Sequence, residues 1–343
     1  MRKNRYLIFI MLSLLTTIFT SCGTTKVVTK ENYLLDTIIK LDVYGKNAEQ
    51  AAEKAMDAIS DIDDKMSPTK PTSEIYKINS NAGKNFVKVS DDTFTVVKRA
   101  IEYSKLCNGA FDITVGPLVN IWGIGTDKQR IPSKKEIDEK LKLIDYKNIL
   151  LDEKNKSIKL KNPNEAIDLG AIAKGYTADK VKKVLLKEGV KTAFINLGGN
   201  VVTLGAKDDG KPWVIGIQDP TKERGEHFGI LKVKEKSVVS SGNYERYFEK
   251  DGKRYHHILD SHTGYPSESG LIATTIISDN SIDGDALSTI TFLLGADKGI
   301  KLIESLKGIE GVFVTADKKV YTTSGLKNNF ELTNEEFTYE KGR

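Results

Sequence analysis

Apolar residues recur at three- and four-residue spacing through Ala48, Ala51, Ala52, Ala55, Met56, Ile59 and Ile62, which places one stripe along a helix. The same period runs from Asp91 to Cys107 through Phe94, Val97 and Ile101 and predicts a second helix. Pro132 precedes Ser133, and Glu136 completes an S-x-x-E capping box that opens a third. Ala171–Glu188 reads as a helix stopped by Gly189, after two short strands at Asn148–Leu151 and Ser157–Leu160. From Thr192 the pattern turns β-rich: Ala193–Leu197, Val201–Leu204, Trp213–Ile217, Gly229–Val239, Tyr255–Leu259 and Ile272–Ser278. Two helices, Asp283–Leu294 and Lys298–Lys307, and a hairpin over Val312–Thr323 close the pattern. Helices and strands are grouped instead of alternating, which predicts an α+β fold in a single compact domain.

The N-terminus follows another logic. Arg2, Lys3 and Arg5 precede an apolar run from Tyr6 to Phe19 that is too short to span a bilayer comfortably. Thr20-Ser21-Cys22-Gly23 follows, small residues leading into a cysteine. Residues 1–21 therefore read as a signal peptide, with Phe19-Thr20-Ser21-Cys22 similar to a bacterial lipobox in which Cys22 carries the lipid. An ordinary signal with an incidental cysteine is the alternative. Residues 22–30 are then a lipidated polar linker, 31–333 the folded domain, and 334–343 a charged tail expected to be partly disordered. This arrangement predicts a protein held to the membrane through lipid, on the extracytoplasmic (periplasmic) side of the cell envelope.

Composition narrows the function. The 343 residues carry 39% hydrophobic and 29% charged side chains, a balance that fits a soluble body with a sizeable core. The formal charge of +5 falls to +2 once Arg2, Lys3 and Arg5 are set aside, leaving no basic footprint for nucleic acid. Two cysteines exclude a disulfide framework, and Cys107 reads as a buried, inert thiol.

Several segments carry polar chemistry, each with a plain structural alternative. Gly109–Gly123 mixes glycines, a proline and aromatics and reads as a shaped loop able to pack on a flat ligand. Asp168-Leu-Gly-Ala-Ile-Ala-Lys-Gly175 opens a helix, where glycines and free amides favour phosphate and Lys174 adds charge, although no Gly-Lys-Ser/Thr triplet is present. His256 and His257 alternate faces if their segment is a strand, so at most one faces a given site. Asp285 and Thr289 lie four apart on one helix face, and a carboxylate with a hydroxyl suits Mg²⁺. A charge complementing the helix dipole is the simpler reading of Asp285 alone.

Taken in order, Gly109-Ala-Phe-Asp-Ile-Thr-Val-Gly-Pro-Leu-Val, Asp168-Leu-Gly-Ala-Ile-Ala-Lys-Gly-Tyr, Ile195-Asn-Leu-Gly-Gly-Asn, Ser241-Gly-Asn-Tyr-Glu-Arg, Tyr255-His-His-Ile-Leu-Asp and Asp285-Ala-Leu-Ser-Thr form a series that resembles the ApbE family, FAD:protein FMN transferases. The resemblance runs from about Leu35 to Thr323. It implies an α+β fold with a T-fold-like core and an Mg²⁺-dependent enzyme. That enzyme joins the FMN half of FAD to a Thr or Ser hydroxyl of a target protein by a phosphoester, releasing AMP. It further implies flavin contacts at Ala110, Phe111, Asp112, Asp168, Lys174 and Ile258, and Mg²⁺ at Ala171 (through its carbonyl), Asp285 and Thr289, with Ser288 adjacent. His257, not His256, aligns with the family's histidine and is the candidate base, with Asp260 acting through water as the alternative, and His257 and Asp285 are the expected catalytic pair. Acceptors are expected to carry a motif like Asp-x-x-Ser/Thr-Gly-Ala-Ser/Thr, as in redox-pump or electron-transfer subunits. The nearest stretch here, Thr322-Thr-Ser-Gly-Leu, does not match it.

Three positions depart from the family pattern: Ser261 stands where proline usually follows the aspartate, Leu35 where methionine often opens the first motif, and Pro68-Thr69 where an aromatic often follows Met-Ser. Two other readings use the same residues. An FAD pyrophosphatase would let water replace the protein hydroxyl, giving FMN and AMP. A non-enzymatic flavin-binding lipoprotein would not require Asp285, Thr289 and His257 together.

Overall fold

The computed structural model describes residues 26–207 and 210–340. A hairpin of β1 (Val27–Leu34) and β2 (Thr37–Tyr44) leads into α1 (Ala48–Met66), α2 (Glu74–Ser80), β3 (Val87–Lys88) and α3 (Asp91–Leu106). Next come α4 (Gly116–Trp122), α5 (Lys134–Leu141), β4 (Ile149–Asp152), β5 (Ser157–Leu160) and α6 (Ala173–Lys187). Strands β6 (Thr192–Leu197), β7 (Asn200–Leu204), β8 (Trp213–Gln218) and β9 (His227–Val233) follow. After them lie β10 (Ser237–Gly242), β11 (Tyr247–Lys250), β12 (Lys253–His256) and β13 (Leu271–Ser278). The long α7 (Ser281–Glu304) precedes β14 (Glu310–Thr315), β15 (Lys319–Thr322), β16 (Phe330–Leu332) and β17 (Thr338–Tyr339).

One sheet runs in the order β1-β2-β6-β7-β10-β13-β14-β15-β17, and its neighbours are antiparallel except for the parallel β15–β17 pair. Alternation in β2 turns Ile39, Leu41 and Val43 toward the helices, where they meet Ala193, Ile195 and Leu197 of β6. Opposite them lie Ala48, Ala51, Ala52 and Ala55 of α1 and Ala178, Val181 and Leu185 of α6. The alanine stripe lets α1 approach α6 closely while burying its apolar face. Neighbouring residues of β13 divide between two cores: Ile276 faces α7, and Ile277 faces the second sheet β16-β9-β8 on the opposite side. The result is a helix layer, a long sheet and a short sheet, the expected α+β body.

Several expectations held and others are corrected. The capping box at Ser133–Glu136 is formed on both sides. The expected helix pair over Asp283–Lys307 is present within α7: Gly295, with φ 78° and ψ 173°, is non-helical and divides it into two helices, the first opening at Ser281 and the second ending at Glu304. Gly229–Val239 is not one strand: Glu235, at φ 49°, turns the chain between β9 and β10, which belong to different sheets. The strand expected over Tyr255–Leu259 ends at His256. The shaped loop Gly109–Gly123 contains α4, with Pro117 in its first turn and Gly123 (φ 57°) closing it in the left-handed region. The linker expected over residues 22–30 is already strand from Val27, with Val28 buried. Within residues 334–340 of the tail, Phe337 is buried against Phe228 and Thr338–Tyr339 pairs with β15. The signal segment 1–21 and Cys22 lie outside the described residues. Among those described, no helix is long and apolar enough to cross a membrane.

Candidate active site

A cleft of about 1030 Å³ opens where the start of α6, the middle of α7, the 109–113 loop and the segment after β12 converge. Its volume lies at the upper end of the range for small-molecule sites, about 300–1,000 Å³. Ala110, Phe111, Asp112, Asp168, Ala171, Lys174, His257, Ile258, Asp285 and Thr289 all line it.

The α6–α7 junction sets its floor. Asp285 is buried, and its Oδ2 accepts the Gly175 amide at 2.8 Å. Gly175 is the third residue of α6, whose amide has no partner within the helix, and the Asp285 carboxylate satisfies it, while Ala171 just before the helix lines the cleft. Asp285 Oδ1 lies 3.8 Å from Lys174 Nζ, which also donates to the Gly170 carbonyl (2.9 Å). Thr289 follows one turn later on the same face of α7. Ser288 does not: it is fully buried, donates to the Asp285 carbonyl at 2.9 Å and lies 2.8 Å from Ser241 Oγ. Ser241 itself lines the cleft, 3.4 Å from Thr289 Oγ1.

Among the described residues no three His, Cys, Asp or Glu side chains gather as a metal cluster. The side-chain donors at this junction are one carboxylate, Asp285, and one hydroxyl, Thr289, both oxygen. That set fits a hard divalent cation that keeps its waters and uses ligand phosphates, and it does not suit zinc.

The 109–113 loop forms a wall. Asp112 is buried, and its carboxylate is spent on the loop itself: Oδ1 accepts the Thr114 amide (2.8 Å) and hydroxyl (2.7 Å), and Oδ2 accepts the Tyr146 amide (2.8 Å). Burial pushes its pKa up against those hydrogen bonds. Asp112 thus meets the cleft as a shaping residue, not as a free carboxylate. Asp168 lies beside it, its amide donating to the Ile113 carbonyl (2.8 Å) and its Oδ1 accepting the Gly170 amide (2.8 Å). Burial raises the Asp168 pKa, while Arg246 and Lys174 favour the charged form.

The two adjacent histidines divide as expected. His256 packs edge-on against Phe292 and is buried, with Nε2 3.0 Å from the Ser267 carbonyl. The His257 Nδ1 lies 3.2 Å from the Arg246 carbonyl. A carbonyl only accepts, so Nδ1 carries the hydrogen and Nε2 is left with its lone pair. Burial first, then the Arg246 charge, lowers the His257 pKa to about 3, so the ring is neutral near pH 7.

Asn196, whose glycine-bearing segment reads as a turn or a ligand-hugging loop, lines the cleft, as do Ser241 and Arg246, to which the sequence motifs assign no individual role. Their signal was there: each sits in a glycine-bearing motif at a strand end. Arg224 and His227 also line it and lie in no such motif.

With the geometry established, comparison places the chain among known proteins. The profile of the ApbE family matches residues 35–313. The chain is 38% identical over 297 residues to the FAD:protein FMN transferase of Klebsiella pneumoniae strain 342, covering 87% of this chain and 92% of that one. It is 30% identical over 325 residues to the enzyme of the same name from Treponema pallidum, covering 90% of each. Among solved structures, the ApbE protein of Thermotoga maritima superposes with a TM-score of 0.82 at 34% identity, covering 88% of this chain and 98% of that one. The flavin transferase ApbE of Vibrio cholerae gives 0.79 at 25% identity, covering 89% and 100%.

Proposed function

This chain belongs to the ApbE family, and from that premise we propose how its cleft performs flavin transfer and where in the cell it does so. The protein is an enzyme that transfers FMN from FAD to an acceptor protein. The finer reading concerns the metal, the acceptor group and the base.

The observation that carries this reading is the meeting of Asp285, Thr289, Ala171 and His257 on one cleft, drawn from three separate stretches of sequence. Asp285, Thr289 and the Ala171 carbonyl would hold Mg²⁺, which when bound neutralises charge on the pyrophosphate oxygens. Lys174 adds a cation beside the same oxygens. The wall at Ala110 and Phe111, with Ile258 also lining the cleft, seats the flavin ring. A Thr or Ser hydroxyl of the acceptor attacks the phosphorus on the riboflavin side. Its proton passes to His257 Nε2, the bond to the bridging oxygen breaks, and AMP leaves with that oxygen. General-base help of this kind is worth roughly 10²–10⁴ in rate. The pyrophosphate's negative charge opposes the Arg246 effect and raises the basicity of His257 on binding.

The acceptor is a protein presenting an Asp-x-x-Ser/Thr-Gly-Ala-Ser/Thr-like segment. Cys22 carries the lipid that tethers the enzyme to the membrane on the periplasmic side, which puts acceptors in the envelope within reach.

The test is incubation with FAD, Mg²⁺ and an acceptor domain bearing the motif, followed by intact mass. A gain of one FMN on the acceptor, lost on chelation, is the expected result. Free FMN and AMP with an unmodified acceptor would overturn protein transfer in favour of hydrolysis.

A further inference from the structure

The hydroxyl of Ser261 ties together two walls of the cleft that are far apart in sequence. Its Oγ donates to the Gly109 carbonyl at 2.6 Å and lies 3.3 Å from the Ala110 carbonyl, while the residue itself is half-buried and lines the cleft. The segment that carries Ser261 is rigid for independent reasons. The His262 amide donates to Asp260 Oδ1 (2.7 Å), the Gly264 amide donates to the Asp260 carbonyl (2.8 Å), and the Trp122 indole donates to the Gly264 carbonyl (2.8 Å). Leu259 and Trp122 are buried in one cluster with Leu118 and Ile137. The 109–111 stretch is the other side of this contact. Gly109, at φ 80°, follows the end of α3, and the amides of Ala110 and Phe111 are held by the Cys107 carbonyl (3.2 Å) and thiol (3.2 Å). Their carbonyl side is what Ser261 reaches.

We propose that Ser261 is a positioning residue that latches the Gly109–Phe111 wall to the rigid 259–264 segment and so fixes the width of the slot that receives the flavin ring. The latch acts on binding, not on the bond that breaks: Ser261 lies in the wall, while Asp285, Thr289 and His257 act at the phosphate and the hydroxyl. A neutral hydroxyl–carbonyl hydrogen bond is worth a factor of roughly three to ten in an equilibrium it biases. The inference rests on the proposed seat of the ring against Ala110 and Phe111.

The experiment uses the full chain in detergent, as Ser261→Ala and Ser261→Thr beside the wild type. FAD affinity is read by quenching of flavin fluorescence, KM and kcat by AMP release, and the latch by amide hydrogen exchange of residues 109–113 without FAD. Ser261→Ala is expected to speed that exchange, weaken FAD binding and raise KM about three- to tenfold. Its kcat should stay within about twofold, and Ser261→Thr, which keeps the hydroxyl, should restore both KM and exchange. Unchanged exchange in Ser261→Ala, or a fall in kcat at constant KM, overturns the latch. Faster exchange with unchanged FAD affinity overturns instead the seat of the ring on which the inference rests.

Discussion

Gly175 gives its amide hydrogen to Asp285 Oδ2 across the α6–α7 contact, and a Cβ placed on Gly175 would lie 2.7 Å from Asp285 Cβ and closer still to the Ser281 carbonyl. The glycine is thus the condition for the carboxylate standing where it does. Gly175→Ala should push the two helices apart, lowering stability by about 1–3 kcal/mol, the usual cost of overpacking. Because the displaced group is Asp285, FMN transfer should fall by more than the loss of folded protein explains. Urea unfolding beside kcat, at saturating FAD and Mg²⁺, separates the two.

Asp285→Asn keeps an oxygen to accept the Gly175 amide but removes the negative charge. The fold should survive with little change, whereas Asp285→Ala would leave a buried donor without a partner, at about 1–3 kcal/mol. Transfer in the Asn variant should drop by at least about 10²-fold, the scale of losing an electrostatic contribution in the transition state. A raised Mg²⁺ requirement with FAD affinity nearly unchanged is the expected signature. Full activity in Asp285→Asn would remove the carboxylate from the metal assignment.

His257 sets a pH dependence of stability with a definite sign. Its folded pKa of about 3 lies below the ordinary value of 6.5, so between these limits the unfolded chain binds more protons than the folded one. Stability therefore falls as pH drops from about 6.5 toward 3, and the depressed His256 acts in the same direction. Asp112 and Asp168, whose pKa values burial raises, act in the opposite sense, so the difference between wild type and variant is the observable. His257→Gln should lose less stability than wild type between pH 7 and pH 5 in denaturant titrations. Equal losses in the two proteins would mean that the ring is not held neutral.

Much of this was legible in the chain because local and global signals agreed. The alanine stripe of α1, the capping box at Ser133 and the Gly189 stop of α6 each announce one element by its own chemistry. The first hairpin stayed hidden because its turn is Leu35-Asp36, both at positive φ (52° and 55°), without the glycine or asparagine that marks such turns. An Asp63 carboxylate that accepts the Leu35 amide at 3.0 Å supports that turn from 28 residues away, and no local window contains it. At the site, spacing placed Asp285 and Thr289 on one face, but it could not reveal that Ser288 turns inward to Ser241. Nor could it show that both Asp112 oxygens are occupied by Thr114 and Tyr146, since those partners are chosen by the folded loop.

Cys107 should be silent to thiol reagents in the native state. Its Sγ lies 3.1 Å from the Tyr103 carbonyl, to which it donates, and accepts the Phe111 amide, and burial pushes the thiol pKa up, which starves it of thiolate. In a fragment beginning at Gly23 it is the sole cysteine. Labelling by a disulfide reagent at pH 8 should require unfolding, so FAD, which binds the folded state, should slow it further. Rapid labelling of native protein would show that the 107–111 corner opens freely.

The Leu35-Asp36 turn also bears on the ligand, because Asp36 reaches the mouth of the cleft and its charge helps raise the Asp168 pKa. Two penalties therefore meet at one residue: a side chain held at φ 55°, and a negative charge facing a site built for a pyrophosphate. Asp36→Gly relieves both. Left-handed backbone is free of steric cost for glycine, so the variant should gain about 0.5–1 kcal/mol in urea unfolding, less the extra freedom glycine has in the unfolded chain. Removing a like charge near the phosphates should tighten FAD by about twofold to fivefold at low ionic strength, and by less as salt screens the interaction. Weaker FAD binding in Asp36→Gly would mean that the carboxylate holds the ligand directly, as an acceptor for one of its hydroxyl or ring N–H groups, and would reverse the sign argued here.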